Sequence, residues 1–227
     1  MEEAEDTIAA ATGTAELTLS GLGGGSALYL SDDYNRTNNA TTPGSPLVGG
    51  PYTVVTGVFG INTNALYTTT TATTNHLTFP GAVNVDMTFT LNVFSASGAG
   101  VIYRYVDASN YWTYLLTANE VVFQRNSAGT FVNVNRSGVI QTFLTTDTFR
   151  VEARNNMMYG YFNGRLVLTQ KDHYYGNGAT TMGVVLRNTA VRFNGLTVIG
   201  ADSTLPVADG FLYRGRATKA DDVAGVA

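Results

Sequence analysis

The sequence predicts an all-β fold, and three observations support this prediction. Short runs of β-branched and aromatic residues recur along the chain and are separated by clusters of Gly, Asn, Asp and Ser. Residues 86–94 alternate between apolar and polar side chains, which is typical of a strand with one buried face. Asn163-Gly164 lies between two such runs and predicts a two-residue hairpin turn. No window has a helical period of useful length.

Composition limits both the architecture and the function. The chain has 227 residues, of which 44% are hydrophobic, so it can bury one substantial core. This length suits a single sandwich with appended segments. The net charge of -4 argues against a protein that binds a nucleic-acid backbone, because such proteins need a basic patch. The absence of cysteine excludes disulfides and thiolate metal sites.

The stretch 99–125 combines the clearest strand pattern with the best candidates for binding. Residues 101–106, 111–116 and 121–125 are predicted strands, joined by polar turns at 107–110 and 117–120. The stretch includes Trp112, the only tryptophan, among several tyrosines. Strand parity puts Trp112 and Tyr114 on the face opposite Tyr111, but the sequence does not indicate which face is buried.

The remaining strands are predicted from the same signals in chain order. They cover residues 54–61, 65–67, 76–79, 86–94, 130–134, 148–154, 159–162, 165–168, 183–187, 191–193 and 196–199. Asn194-Gly195 is interpreted as a β-bulge, since little strand remains after it. Segments 100–104 and 183–187 share a G-V-β-x-R pattern, and we interpret them as strands in like positions of two stacked sheets.

Several of these segments together resemble a known family. In order and spacing, residues 33–36, 59–61, 100–112, 149–152, 161–164 and 193–198 are similar to concanavalin A-like (laminin-G-like) lectin/glucanase domains. The resemblance spans residues 31–200. It implies a two-sheet antiparallel jelly-roll sandwich, a fold that often binds glycans on a concave face. Tyr52 and Phe59 depart from the pattern at positions where tryptophan is common.

Two segments flank this domain. Residues 1–30 are predicted to be an N-terminal arm with a Gly-rich hinge, and residues 201–227 a C-terminal arm. Residues 211–227 resemble the ends of actinobacteriophage tail and other virion proteins. That resemblance implies a structural phage component, such as a minor tail or other accessory protein, assembled in the host cytoplasm. No signal peptide or membrane-spanning apolar run is seen.

The virion hypothesis also predicts partners and anchors. The C-terminal arm is expected to dock on other virion subunits or on further copies of the same chain. Rings and arginines commonly carry interface energy, so the expected anchors are Phe211, Leu212, Tyr213, Arg214 and Arg216. A host cell-surface glycan is a further expected partner, whereas nucleic acid and membrane insertion are not expected.

Glycan binding is the chemistry that the residues favour. Aromatic rings stack on the apolar faces of sugars, while neighbouring polar groups bind the hydroxyls. The candidates are Arg104, Tyr105, Trp112, Tyr114, Tyr174 and Tyr175. The alternative is that many of these rings fill the interior of the sandwich.

Catalytic and metal motifs are weak by comparison. A glycosidase needs two carboxylates close together, whereas Asp86, Glu120, Glu152 and Asp172 look isolated in the sequence. The histidines, His76 and His173, are interpreted as polar loop residues without metal spacing. We therefore predict no catalytic residues and no cofactor other than calcium, for which the candidate ligands are Asp33, Asp107 and Asp172. A glycan-active enzyme or a free carbohydrate-binding module is the alternative function.

Overall fold

The computed structural model describes residues 27–71, 74–95, 98–172, 174–175 and 178–201. These residues form fifteen β-strands in two antiparallel sheets that face each other. In chain order the strands are β1 (Leu28–Asp32), β2 (Thr53–Thr56), β3 (Phe59–Ile61), β4 (Leu66–Thr68), β5 (Asn75–Pro80), β6 (Val85–Val93), β7 (Ala99–Asp107), β8 (Asn110–Thr117), β9 (Glu120–Ser127), β10 (Thr130–Arg136), β11 (Thr148–Arg154), β12 (Met157–Phe162), β13 (Arg165–Lys171), β14 (Thr181–Leu186) and β15 (Arg192–Gly200).

The two sheets differ in strand order. The eight-stranded sheet has the order β13-β12-β11-β6-β15-β4-β3, with β1 paired to β15. The seven-stranded sheet has the order β10-β9-β8-β7-β14-β5-β2. The main hydrophobic core lies between them and includes inward residues of both sheets, such as Phe89, Phe149 and Phe193. This architecture confirms the predicted two-sheet antiparallel sandwich.

Local signals are confirmed wherever they depend on alternation or turn chemistry. Burial along β6 alternates residue by residue, as the sequence pattern predicts. Asn163 and Gly164 have φ values of 48° and 74° and connect β12 to β13 in a turn with positive φ at both positions. A register shift at Asn194 confirms the bulge within β15.

Two predictions about strand placement are wrong. The apolar run 54–61 is two strands in different sheets, because Gly57 interrupts it with a φ of 81°. Segments 100–104 and 183–187 do not lie in separate sheets, since β7 and β14 are neighbours in one sheet with Gly183 opposite Ile102. Similar local sequences can thus mark adjacent antiparallel strands, because each needs the same pattern of buried residues.

The domain boundaries remain a prediction, apart from the first strand. β1 begins at Leu28, and Leu30 and Asp32 are buried. The strand pairs with β15, so residues 28–30 belong to the sandwich and not to the predicted arm. The arms fall largely at residues 1–26 and 202–227, outside the described residues, and so do the proposed anchors Phe211, Leu212, Tyr213, Arg214 and Arg216.

Candidate functional site

The stacking of the sheets decides which face of β8 is buried in the main core. Trp112, Tyr114 and Leu116 point between the sheets. Tyr111 and Leu115 point to the outer face of the seven-stranded sheet, where they form a second, smaller hydrophobic cluster with Ile102 and Val185. One face of β8 therefore packs in the main core, and the other face packs in the outer cluster.

Trp112 and Tyr114 fill the interior and do not form a binding surface. Their exposed fractions are 1% and 0%. The Tyr114 hydroxyl donates a hydrogen bond of 2.8 Å to the backbone oxygen of Tyr161 in the opposite sheet. A ring with no exposed face cannot stack on a sugar, so we leave both residues out of the candidate site.

Arg104 holds a loop in place from inside the protein. Its guanidinium is 2.5 Å from the Asp172 carboxylate, and both side chains are fully buried. Arg104 has a φ of 52° within a register shift of β7, and it also donates to the backbone oxygen of Asn155. Asp172 in turn accepts a hydrogen bond of 2.6 Å from the backbone of Tyr174. The ion pair thus connects β7 to the loop that carries Tyr174 and Tyr175.

This loop and β7 border a cavity of about 490 Å³. Tyr105, on β7, and Tyr175, on the loop, lie on its wall together with Val106 and residues 178–181. The Tyr175 hydroxyl lies 3.1 Å from Asn110 Oδ1 and 3.2 Å from the backbone oxygen of Asn126, both of which can accept its hydrogen bond. Both tyrosines are partly exposed, as a stacking surface requires.

A row of rings leads from this cavity across the outer face of the seven-stranded sheet. The rings of Tyr105 and Tyr111 are stacked with centroids 5.9 Å apart. Tyr111 meets Phe131 of β10 edge to face at 6.4 Å. Phe131 is 41% exposed although it belongs to a sheet face, which leaves an apolar ring open to solvent at the far end of the row.

Polar side chains lie beside this row. The guanidinium carbon of Arg187, just after β14, is 4.9 Å from the centroid of the Phe131 ring. Arg187 donates to Gln124 Oε1, and Gln124 Nε2 donates to Asn133 Oδ1 at 2.8 Å. We call Tyr105, Tyr111, Phe131, Gln124, Asn133 and Arg187 the outer-face cluster.

Burial shifts the ionisation of this region. Burial, together with the nearby positive charge of Arg187, lowers the pKa of His76 to about 4. The Tyr111 hydroxyl, 2.8 Å from His76 Nε2, has its pKa raised to about 12 by burial. Burial also lowers the pKa of Arg187. At neutral pH the imidazole and the phenol are therefore uncharged, and Arg187 carries the positive charge of the cluster.

Comparisons with known proteins support the fold. No family model matches the sequence, and no curated protein matches it. The carbohydrate-binding module CBM66 from Bacillus subtilis matches with a TM-score of 0.57 at 14% identity, over 66% of this chain and 95% of that one. The Emp47p carbohydrate recognition domain matches with a TM-score of 0.53 at 11% identity, over 76% and 95%.

A third solved structure has the same architecture. Domain 4 of AbnA, an extracellular GH43 arabinanase from Geobacillus stearothermophilus, matches with a TM-score of 0.51 at 10% identity, over 78% of this chain and 93% of that one. The chain has a lectin-like jelly-roll fold. At these identities the likeness concerns the fold alone and does not extend to the residues of a binding site.

Tyr174 lies beside the cavity rather than on its wall. Its ring is 47% exposed, and its centroid is 6.2 Å from that of Tyr175. The guanidinium carbon of Arg125 lies 3.7 Å from the Tyr174 centroid, so one face of the ring is occupied by a cation. Of the six predicted glycan-binding residues, the jelly roll therefore brings Tyr105, Tyr174 and Tyr175 together near one cavity.

The carboxylates of the other sheet are less isolated than the sequence predicts. Asp86 and Glu152 are directly opposite each other on β6 and β11. Arg150 contacts both, at 2.5 Å from Asp86 and 3.3 Å from Glu152, and Arg154 also pairs with Glu152. The prediction that Asp86 and Glu152 are isolated is wrong, because pairing of strands distant in sequence brings them together.

The candidate calcium ligands have other partners in the structure. Asp172 pairs with Arg104, Asp107 accepts hydrogen bonds from Ser109 and Asn110, and Asp33 accepts one from the backbone of Asn35. Within the part of the chain that the structure describes, no group of three or more His, Cys, Asp or Glu side chains could hold a metal ion. In the same ranges, no helix is long and apolar enough to cross a membrane.

Several residues of this region are not predicted from the sequence. His76 is not a loop residue: it lies on β5 and is 3% exposed, whereas His173 is outside the described residues. Phe131 and Gln124, within strands, and Arg187, just after β14, carry no local sequence signal that marks them as site residues. The alternation of Gln124 with Asn126 on β9 indicates a polar outer face, but the contact with Arg187 depends on strand order.

Proposed function

We propose that the protein binds glycans through the outer-face cluster and the adjacent cavity, and that it does not hydrolyse them. The observation that carries this proposal is the row of rings from Tyr105 to Phe131, partly exposed at both ends and flanked by Arg187, Gln124 and Asn133. Rings and polar side chains on one surface supply both kinds of contact that a sugar needs.

The dimensions and chemistry of the surface suit a short glycan segment. The cavity of about 490 Å³ lies within the size range of small-ligand sites. Tyr105 and Tyr175 offer stacking faces at the cavity, and Phe131 offers another at the end of the row. Amide groups of Gln124 and Asn133 are positioned by their mutual hydrogen bond, so little side-chain freedom would be lost on binding.

The fold comparisons support the same substrate class. CBM66 and the Emp47p domain are, respectively, a carbohydrate-binding module and a carbohydrate recognition domain, and AbnA domain 4 was solved in complex with arabinotriose. We extend carbohydrate binding to this chain because its own outer face carries suitable residues.

Glycan-array screening followed by calorimetry tests the proposal. Tyr105→Ala and Phe131→Ala should each weaken binding of the best array ligand by about tenfold or more, as is typical for a buried aromatic contact. Tyr67→Ala is the matched control, because Tyr67 is also a partly exposed ring beneath an arginine but lies on β4 of the other sheet. An equal loss in all three variants, or no array ligand at all, would contradict the proposal.

A glycan-active enzyme is the alternative, and the Asp86–Glu152 pair is where it would act. Both carboxylates are held by arginines, which supports a structural role for the pair. Release of reducing sugar from array ligands by the wild type, abolished in Glu152→Gln, would favour the enzyme over the binding module.

We further propose that this glycan-binding domain is part of a phage virion, as a minor tail or other accessory protein. The support is the resemblance of residues 211–227 to the ends of virion proteins, together with anchors such as Phe211 and Tyr213, which lie outside the described residues. In this proposal the protein contacts other virion subunits and host surface glycans, and it assembles as a homo-oligomer. Co-purification with intact particles tests it, and its absence from purified particles would refute it.

A further inference from the structure

Arg187 is a largely buried cation that has no carboxylate partner among the residues that the structure describes. Within the described ranges no carboxylate lies within 4.0 Å of its guanidinium. Other arginines of the sandwich do have such partners, namely Arg36, Arg104, Arg136, Arg150 and Arg154. Because ionised groups are rarely buried without compensation, the environment of Arg187 requires an explanation.

Its hydrogen bonds leave much of the guanidinium unused. Among the described residues Arg187 donates to Gln124 Oε1, while its buried Nε has no partner. A guanidinium has five N–H donors in a planar fork. Arg192 shows the contrast: its guanidinium carbon also lies over a ring, 4.5 Å from the Tyr67 centroid, but its Nη1 donates to two backbone oxygens. Stacking on Phe131 therefore does not by itself satisfy Arg187.

We propose that the glycan bound at the outer-face cluster is acidic and that its anionic group, a carboxylate or a sulfate ester, pairs with Arg187. This inference rests on the proposed glycan binding at the same surface. The planar fork of arginine matches both groups with two parallel hydrogen bonds. The guanidinium lies over one face of the Phe131 ring, and the ring is 41% exposed, so a sugar that packs against the exposed edge of this ring would bring its charged substituent within reach of Arg187.

The electrostatics of the site agree with this assignment. Burial lowers the pKa of Arg187, and a bound anion would compensate the buried charge. His76, the other basic group close by, is uncharged at neutral pH because burial lowers its pKa to about 4. Tyr111 and Tyr105, which belong to the cluster, are neutral phenols, since burial raises the pKa of both hydroxyls. Asp107 lies near Tyr105, and its negative charge also raises the pKa of the Tyr105 hydroxyl.

An array that pairs each neutral oligosaccharide with its uronic-acid and sulfated counterparts tests the inference on the wild-type protein. An acidic member should bind at least about tenfold more tightly than its neutral counterpart, as charge-assisted hydrogen bonds do. Comparison of the uronic-acid and sulfated members identifies the anion. Equal affinity for neutral and acidic members overturns the inference but leaves glycan binding standing, whereas no binding to any member overturns both.

Variants of Arg187 test whether this side chain causes the preference for the acidic glycan. Arg187→Gln should reduce affinity for the acidic member to that for the neutral one, and Arg187→Lys, which keeps the charge but loses the fork, should fall between. Arg192→Gln is the matched control and should retain the full preference. An unchanged preference in Arg187→Gln refutes the assignment. Thermal melting checks that each variant folds, and the wild-type comparison decides the inference if Arg187→Gln does not fold.

Discussion

The side chains of His76 on β5 and Tyr111 on β8 contact each other on the outer face, although these two strands are not neighbours in the sheet. The Tyr111 hydroxyl and His76 Nε2 are 2.8 Å apart, and their rings meet edge to face at 4.9 Å. His76 Nδ1 is buried without a partner in the described structure. The pair therefore tolerates a neutral imidazole but offers no acceptor for a second proton.

This pair makes stability depend on pH in a definite direction. The pKa of His76 is about 4 in the folded protein, below its ordinary value of 6.5, so the unfolded chain takes up the proton first as pH falls. The stabilisation is fully present above pH 6.5 and should be lost between that pH and about 4, by up to about 3 kcal/mol. Urea unfolding at a series of pH values measures it.

His76→Gln is the control for this titration, because many carboxylates also begin to titrate over the lower part of the range. The variant keeps a side-chain acceptor but has no titrating imidazole. The free energy of unfolding of the wild type relative to His76→Gln should fall as the pH decreases from 6.5 to 4. A difference that stays constant would show that His76 is not buried as a neutral group.

At the scale of single elements, the β12–β13 hairpin depends on the backbone at Gly164. Its φ of 74° is strained for any side chain, yet an added Cβ would meet no atom within 4 Å. Gly164→Val should therefore lower the free energy of unfolding by at least about 1–2 kcal/mol through backbone strain alone. The expected decrease in melting temperature is about 2–8 °C.

Gly50→Val is a suitable comparison for the hairpin variant. Gly50 also has open space around its Cβ position but no positive φ. Its substitution should leave the melting temperature nearly unchanged. Equal effects of the two variants would indicate that solvent exposure of valine, and not the turn conformation, is responsible.

The Arg104–Asp172 ion pair connects strand β7 to the loop at the cavity. Asp172→Ala leaves a buried guanidinium without its counter-ion, so it should lower the free energy of unfolding by about 3–5 kcal/mol. The partly exposed pair Arg136–Glu120 is the control, and Glu120→Ala should lower it by no more than about 1 kcal/mol. Chemical denaturation of both variants checks this. Similar small effects would mean that water reaches Arg104.

At the scale of the whole molecule, the proposed arms can be separated from the sandwich by deletion. Removing residues 205–227 should leave the melting temperature of the domain unchanged, because the sandwich core lies within residues 27–201. In the virion proposal the same deletion should abolish incorporation into particles, since it removes Phe211 and Tyr213. Calorimetry and particle purification give the two readouts. A large decrease in melting temperature with normal incorporation would refute the proposal that residues 205–227 form an assembly arm separate from the sandwich.

The fold class of this protein can be predicted from local sequence patterns alone. Alternation along residues 86–94 and the Asn163-Gly164 turn are local signals, set by backbone geometry and the nearest neighbours in the chain. They were confirmed because short strands and tight turns leave few alternatives. The apolar run 54–61 predicted a single strand. This prediction is wrong, because the run is divided near Gly57 into two strands that belong to different sheets.

Which residues form the candidate site depends on how the two sheets pack. Alternation along β8 places Trp112 and Tyr111 on opposite faces of the strand. Because both faces carry large apolar residues, the pattern does not indicate which face packs against the other sheet. The contact between Arg187 and Gln124 joins residues 63 positions apart, and that between Tyr111 and His76 joins residues 35 apart. Such contacts depend on strand order, which is set by how the whole sequence buries its apolar faces and not by any local pattern.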